Sequence, residues 1–289
     1  MSRWVDSPIV SFSRDGQALE LGRSGEAPAL HLTGSTGLGL APVDIKSSER
    51  LSGDGSIVRG VRYGARDVYV PLLLSGTELS VSEARRDLTR LLAPHLGMVD
   101  VRIQDPVTGT DRMIRGYLRE GMEGDFGTDF GRSWHRLGLT FECPDPLWLG
   151  PEQTVELRVN PGVKPFLSDT VPFFPVILAQ SVVQGQFDVE ISGDGPVWPA
   201  WEVLGPGTDL VIARGEDLIE IGGDFSPDEP VLIDTAAGRI APDRWADTSL
   251  RSRLFALNPG RQTITVTLVS ATEDTLVRVT WRERYLEGV

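Results

Sequence analysis

Leu139-Thr-Phe-Glu-Cys-Pro-Asp-Pro-Leu-Trp148 decides how the chain divides. Leu137, Leu139 and Phe141 recur at every second position, the period of a half-buried strand. Pro144 and Pro146 then remove two backbone donors within three residues, so the strand ends there. Gly150-Pro151 follows as a turn signal. It marks a boundary between a first domain, residues 1–150, and a second, residues 151–289.

Working back from this exit, a second informative stretch lies at Thr36-Gly-Leu-Gly-Leu-Ala-Pro-Val43, with the turn Gly53-Asp54-Gly55 beyond it. It reads as the bend and turn that enter the first domain's sheet. Upstream, Ile9–Ser13 alternates and meets Asp15-Gly16 before Ala18–Leu21, a hairpin signal. Downstream, Ile57–Tyr63 and Arg66–Leu74 are β-prone, and Pro71 requires an edge, a bulge or an unpaired backbone position. Val81, Ala84, Leu88, Leu91 and Leu92 fall on one helical face over 80–93, with Ser80 and Glu83 as a capping box and Pro94 with Gly97 as the stop. Arg85, Arg86, Asp87 and Arg90 occupy the opposite face. Val99–Ile103 and Met113–Leu118 form a strand pair around Asp105–Asp111. Glu120–Ser133, with four glycines, reads as a long loop, either flexible or ordered only in an assembly, against a neighbouring subunit.

Beyond the boundary the apolar runs are short. Val155–Val159, Val176–Leu178, Phe187–Ile191, Ala200–Leu204, Leu210–Ala213, Leu218–Ile221, Val231–Asp234, Thr263–Leu268 and Leu276–Arg282 are strand-like, with glycine- and proline-rich turns between them. Such spacing predicts an antiparallel β-sandwich. The fold class expected is therefore mainly β, with one short helix in the N-terminal half.

Composition narrows the function. Gly 32 and Pro 20 favour strands and turns over helices. No run approaches ~18 apolar residues and the first residues lack an apolar core, so no membrane insertion and no secretory leader are expected. Folding in a cytoplasm is the expectation. Cys143 is alone, which forbids an internal disulfide, and its apolar strand implies a packing role. The net charge of -13 argues against specific nucleic-acid binding, because phosphate recognition needs basic surface. Residues 1–150 hold 17 basic and 20 acidic residues (net -3); residues 151–289 hold 11 and 21 (net -10), and the two sum to that total.

Reactive groupings are missing. His31, His95 and His135 are scattered, so neither a metal site nor a Cys143–His135 couple is expected. Gly34–Gly39 is glycine-rich but lacks the Gly-Lys-Ser/Thr ending and opens no helix, so no cofactor is expected. Asp188 with Glu190, or Asp234 with Asp243, are the acid pairs a glycosidase would need, and nothing singles them out. The chain is read as no enzyme. Trp198 and Trp201 flank Pro199-Ala200, and Trp245 lies in a polar loop. Trp198 and Trp201 are candidate sugar-stacking residues, which keeps a carbohydrate-binding β-sandwich protein as the alternative.

The order of motifs resembles the distal tail protein family of long-tailed bacteriophages. Gly37-Leu-Gly39 with Pro42 precedes Gly53-Asp-Gly55. Then come Arg66–Leu74, the helix, the strand pair with Asp111-Arg112 at its turn, and Phe141-Glu-Cys-Pro-Asp-Pro146 ending in Trp148. In the second half Pro199-Ala-Trp-Glu-Val203, Val231-Leu-Ile-Asp-Thr235, Leu257-Asn-Pro-Gly260 and Val279-Thr-Trp-Arg-Glu-Arg-Tyr285 continue the match. The resemblance implies an N-terminal belt domain that closes a ring, a homohexamer, and a C-terminal galectin-like sandwich on its periphery. It implies a virion protein at the tail tip, contacting the tail tube protein, tail-tip hub proteins and receptor-binding proteins, with DNA passing through the lumen at ejection. Some relatives carry an inserted carbohydrate-binding module; the two halves here leave no room for one.

Overall fold

The computed structural model describes residues 8–22, 29–125, 127–158 and 182–289. The chain forms two compact units, Met1–Pro151 with Arg284–Val289, and Glu152–Glu283.

The first half contains β1 (Ile9–Arg14), β2 (Gln17–Glu20), β3 (Ala29–His31), β4 (Val43–Glu49), β5 (Ser56–Tyr63) and β6 (Arg66–Ser75). The helix α1 (Glu78–Leu92) follows, then β7 (Val99–Asp105), β8 (Thr110–Glu120), β9 (Trp134–Cys143) and β10 (Trp148–Arg158). β1 and β2 join through Asp15 (φ 50°) and Gly16 (φ 79°), the two left-handed residues that a tight hairpin matching strand twist requires. β1 pairs with β7 and β7 with β8. Past an irregularity between Leu118 and Glu120, β8 pairs with β9, which runs along β6; β6 in turn carries β3.

One core joins these ladders. Val68, Val70, Leu72 and Leu74 of β6 are buried at alternate positions beside Leu137, Leu139 and Phe141 of β9 and Val99, Val101 and Ile103 of β7. Val81, Leu88, Leu91 and Leu92 of α1 close over it, the face expected from helical spacing. The helix begins one turn earlier than the capping-box reading. Thr77 is the N-cap, accepting from the Ser80 N–H at 3.2 Å, while the Ser80 hydroxyl donates back to the Thr77 carbonyl. At the other end Arg14 donates to the carbonyl of Arg90, in the last turn of α1, and to that of Ala93, which also accepts from Leu96 N–H.

Pro71 sits inside a paired strand. Its carbonyl accepts from Leu32 N–H at 2.9 Å, on the side where β3 has just ended. Its missing N–H faces that same gap, so no ladder bond is lost. Cys143 is buried in the core. Burial pushes its thiol up to about 12; Arg66 opposes this, and Asp67 and Glu142 reinforce it.

Two features depart from the reading of the stretches that bracket this domain. β4 and β5 do not enter the main sheet; they pair only with each other. And the chain does not turn at Gly150-Pro151. β10 starts at Trp148, pairs through Leu149 with Met113, and runs on to Arg158 as one strand.

The second half contains β11 (Val182–Ile191), β12 (Ala200–Leu204), β13 (Gly207–Arg214), β14 (Asp217–Phe225), β15 (Val231–Asp234), β16 (Arg239–Ala241), β17 (Gly260–Val269) and β18 (Leu276–Tyr285). One sheet has the order β11-β17-β13-β14, and another ladder runs β16-β15-β12-β18. All these pairings are antiparallel. A single core takes Ile212, Ile221, Val266 and Leu268 from the first sheet and Trp201, Val203, Ile233 and Val279 from the second. Two antiparallel sheets sharing one core make a β-sandwich. The expected strand at 176–178 lies outside the described residues.

Candidate assembly surface

Among the described residues, the β4–β5 hairpin concentrates exposed apolar side chains on one short element. Its register sets Val43 opposite Tyr63 and Ile45 opposite Val61, with Ser47 opposite Val58 after a bulge at Lys46/Ser47. Opposed residues share a face. That face therefore carries Val43, Ile45, Val58, Val61 and Tyr63. The other carries Asp44 and Arg62, ion-paired at 2.8 Å, and Ser48, which accepts from Arg59 Nε at 3.0 Å, with Ile57 opposite Ser48 as its one apolar side chain. Hydrophobic-in, polar-out alternation is the signature of a strand pair with one buried face. Here the apolar face is open: Ile45 is 58% and Val61 64% exposed, and Leu51 at the tip is fully exposed. A lone two-stranded hairpin is marginal in water, so such a pair needs something to cover it.

The root of the hairpin is anchored from within the first unit. Gly64 N–H donates to the Pro42 carbonyl at 2.8 Å. Just downstream, Arg66 is buried and its Nη1 donates to the carbonyls of Gly37 (2.9 Å) and Gly39 (2.7 Å), while Nη2 donates to that of Leu286 (2.9 Å). Its guanidinium lies 5.8 Å from the Trp148 ring centroid. Burial lowers the Arg66 pKa from the usual arginine value, with Cys143 and Asp145 opposing. Gly37 (φ 81°) is required at this node, since a Cβ there would stand 2.0 Å from the Asp67 carbonyl oxygen. The glycine-rich bend is thus an arginine-held joint in the backbone.

The sequence candidates lie elsewhere. Trp198 is 44% exposed, with indole surface available to solvent; Trp201 is 1% exposed and packed in the sandwich core, with no face to offer a sugar. Trp245 is also exposed, in a short turn after Asp243, whose carboxylate accepts from the Trp245 N–H. The acids have local structural partners. Asp188 accepts from Thr263 Oγ1 and pairs with Arg261, and these two bonds hold its carboxyl below the usual range. Asp234 accepts from the backbone of Ala236 and Ala237. The Glu120–Ser133 loop has internal bonds of its own: Asp129 N–H to the Asp125 carbonyl at 2.9 Å, and Gly131 N–H to that of Trp134 at 2.8 Å. Among the described residues no three His, Cys, Asp or Glu side chains gather to hold a metal ion, and no helix is long and apolar enough to cross a membrane.

Comparison with known proteins agrees with the motif order. Residues 192–285 match the family model described as siphovirus-type tail component, C-terminal domain. The crystal structure of the SPP1 Dit protein, titled a paradigm of the hub adsorption apparatus in phages infecting Gram-positive hosts, is similar at TM-score 0.61 and 18% identity, covering 95% of this chain and 98% of that one. A chain of the phage P2 baseplate, activated with Ca, aligns at TM-score 0.57 and 11% identity over 96% and 98% of the two chains. The same baseplate with Sr gives 0.56 and 11% over 94% and 97%. A search of curated proteins gives no match. Residues 192–285 thus match the model of the siphovirus-type tail component, C-terminal domain, in a chain whose fold, over nearly its whole length, is similar to that of SPP1 Dit and of a phage P2 baseplate chain.

Proposed function

We propose that the protein is a structural component of a bacteriophage tail tip that works as a ring of identical chains. Residues 1–150 form the ring-closing domain and residues 151–289 the outward sandwich. The ring is a homohexamer that joins the tail tube protein to tail-tip hub and receptor-binding proteins, and DNA crosses its lumen. It has no catalytic task. The observation that carries this reading is the β4–β5 hairpin, whose apolar face a second copy would cover. Each of its side chains would contribute on the order of 1 kcal/mol on burial, since each is already partly covered. The fold shared with SPP1 Dit and the baseplate chains supports the same reading. Light scattering and negative-stain imaging of the purified chain test it. Closed rings are the expected result; a strict monomer at every concentration overturns it.

The alternative, a carbohydrate-binding protein, rests on the exposed indole of Trp198. Glycan-array binding that disappears in Trp198→Ala would establish it, and an array without signal would remove it.

A further inference from the structure

Between the first turns of α1 and the start of β9 lies a cavity of about 340 Å³. Glu78, Ser82, Arg85, Phe130, Arg132 and His135 line it. His135 is 1% exposed, and neither ring nitrogen has a hydrogen-bond partner among the described residues. A buried imidazole without partners is costly, because both nitrogens have given up water and gained nothing. The Phe130 ring stands 4.9 Å from it, centroid to centroid, and Arg85 stacks on Phe130 at 4.5 Å. Arg132 reaches Glu78 only at 3.8 Å, and both of these side chains remain largely exposed.

The side chains that line the cavity include two guanidinium groups and one carboxylate, with the Asp129 carboxylate near enough to act on His135. Burial first, then Arg85, lowers the His135 pKa, with Asp129 opposing, which favours the neutral ring, one of whose nitrogens carries an N–H. A cationic guest would meet Arg85 and Arg132. An apolar guest would leave the imidazole as it is. Guanidinium forks match the paired oxygens of a carboxylate or phosphate, and an imidazole N–H adds a third donor.

We propose that this cavity binds one oxyanion group, a carboxylate or a phosphate, held by Arg85 and Arg132 and hydrogen-bonded to the imidazole of His135. The group comes either from a free ion or from an acidic side chain of a neighbouring chain; the chemistry of recognition is the same.

Calorimetric titration of the full chain with inorganic phosphate and with acetate, against chloride at equal ionic strength, tests the proposal. One saturable oxyanion per chain is expected. Arg132→Gln and Arg85→Gln should each weaken it about tenfold, the worth of one charge-assisted hydrogen bond. Arg132 is exposed, so its variant keeps the test valid should Arg85→Gln fold poorly. Binding to separated chains but not to the assembled form assigns the source to a neighbour's acidic side chain. Binding to both assigns a free ion. Titrations in which phosphate and acetate behave as chloride does, or binding that neither variant weakens, overturn the proposal.

Discussion

Arg66 is a charge withdrawn from water and held by three main-chain carbonyls rather than by a carboxylate. Hydrogen bonds to a charged group are each worth more than neutral ones, and losing the donor strands all three acceptors. Arg66→Met should therefore lower stability by about 3 kcal/mol in urea unfolding, against a volume-matched side chain that keeps the packing. A loss within the range of an ordinary surface substitution would contradict this account. The histidines make a second residue-scale prediction. Burial lowers the pKa of His31 and of His135 from 6.5, more than the Pro8 backbone raises the former or Asp129 the latter. A folded pKa below the unfolded value means that the unfolded chain binds protons first. Stability is then fully present above about 6.5 and declines as the pH falls past it. His135→Phe should flatten that acid-side decline in thermal unfolding followed between neutral and mildly acidic pH; an unchanged slope would show that His135 does not contribute.

At the scale of elements, the β4–β5 hairpin separates folding from assembly. Its apolar face lies outside the core, so a charge there should leave the chain folded. Val61→Asp should keep the unfolding midpoint of the separated chain within ordinary surface-substitution limits while abolishing rings in negative stain. Rings that persist would move the assembly contact elsewhere. This hairpin also marks how far the sequence can be read. Asp15-Gly16 signals the β1–β2 turn locally, and the α1 face from Val81 to Leu92 follows from spacing alone, so both are legible. Val43, Ile45, Val58 and Val61 alternate just as a core-facing strand pair does; the pattern declares a buried face without saying whether this chain or another buries it. The α1 cap was misplaced because Ser80 satisfies the same rule as Thr77, and the choice rests on which hydroxyl meets the first free N–H. The cavity beside His135 was illegible for a different reason. Ser82 and Arg85 are about fifty positions from His135, and they meet only because β9 pairs with β6 directly before the helix.

For the whole molecule, the division into units does not follow the order of the chain. Arg284–Val289 belongs with the first unit although 152–283 intervenes. Arg284 pairs with Asp145 at 2.5 Å, Arg112 covers the Tyr285 ring at 3.4 Å, and Gly288 donates to the Leu38 carbonyl at 2.7 Å. At Gly288 the backbone lies so close to Trp148 that a Cβ would stand 2.6 Å from the indole. A chain stopped after Glu283 should uncover Trp148, shift tryptophan emission to longer wavelength and lower the thermal midpoint of the first unit while the second keeps its own. Emission unchanged from that of the full chain would show that this segment closes nothing.

That same segment puts a clock on synthesis. A ribosome delivers residues 1–151 first, yet the carbonyl of Leu286 that Arg66 needs emerges only after the whole of the second unit has been made. Domains made early ordinarily fold early. Here the first one stays unsealed until residues 284–289 have been made, so a fragment released before them lacks the clasp that steadies the root of its own hairpin. Chains released before residue 284 are expected to be poor recruits to an assembly, because Arg284–Val289 complete what the first unit began.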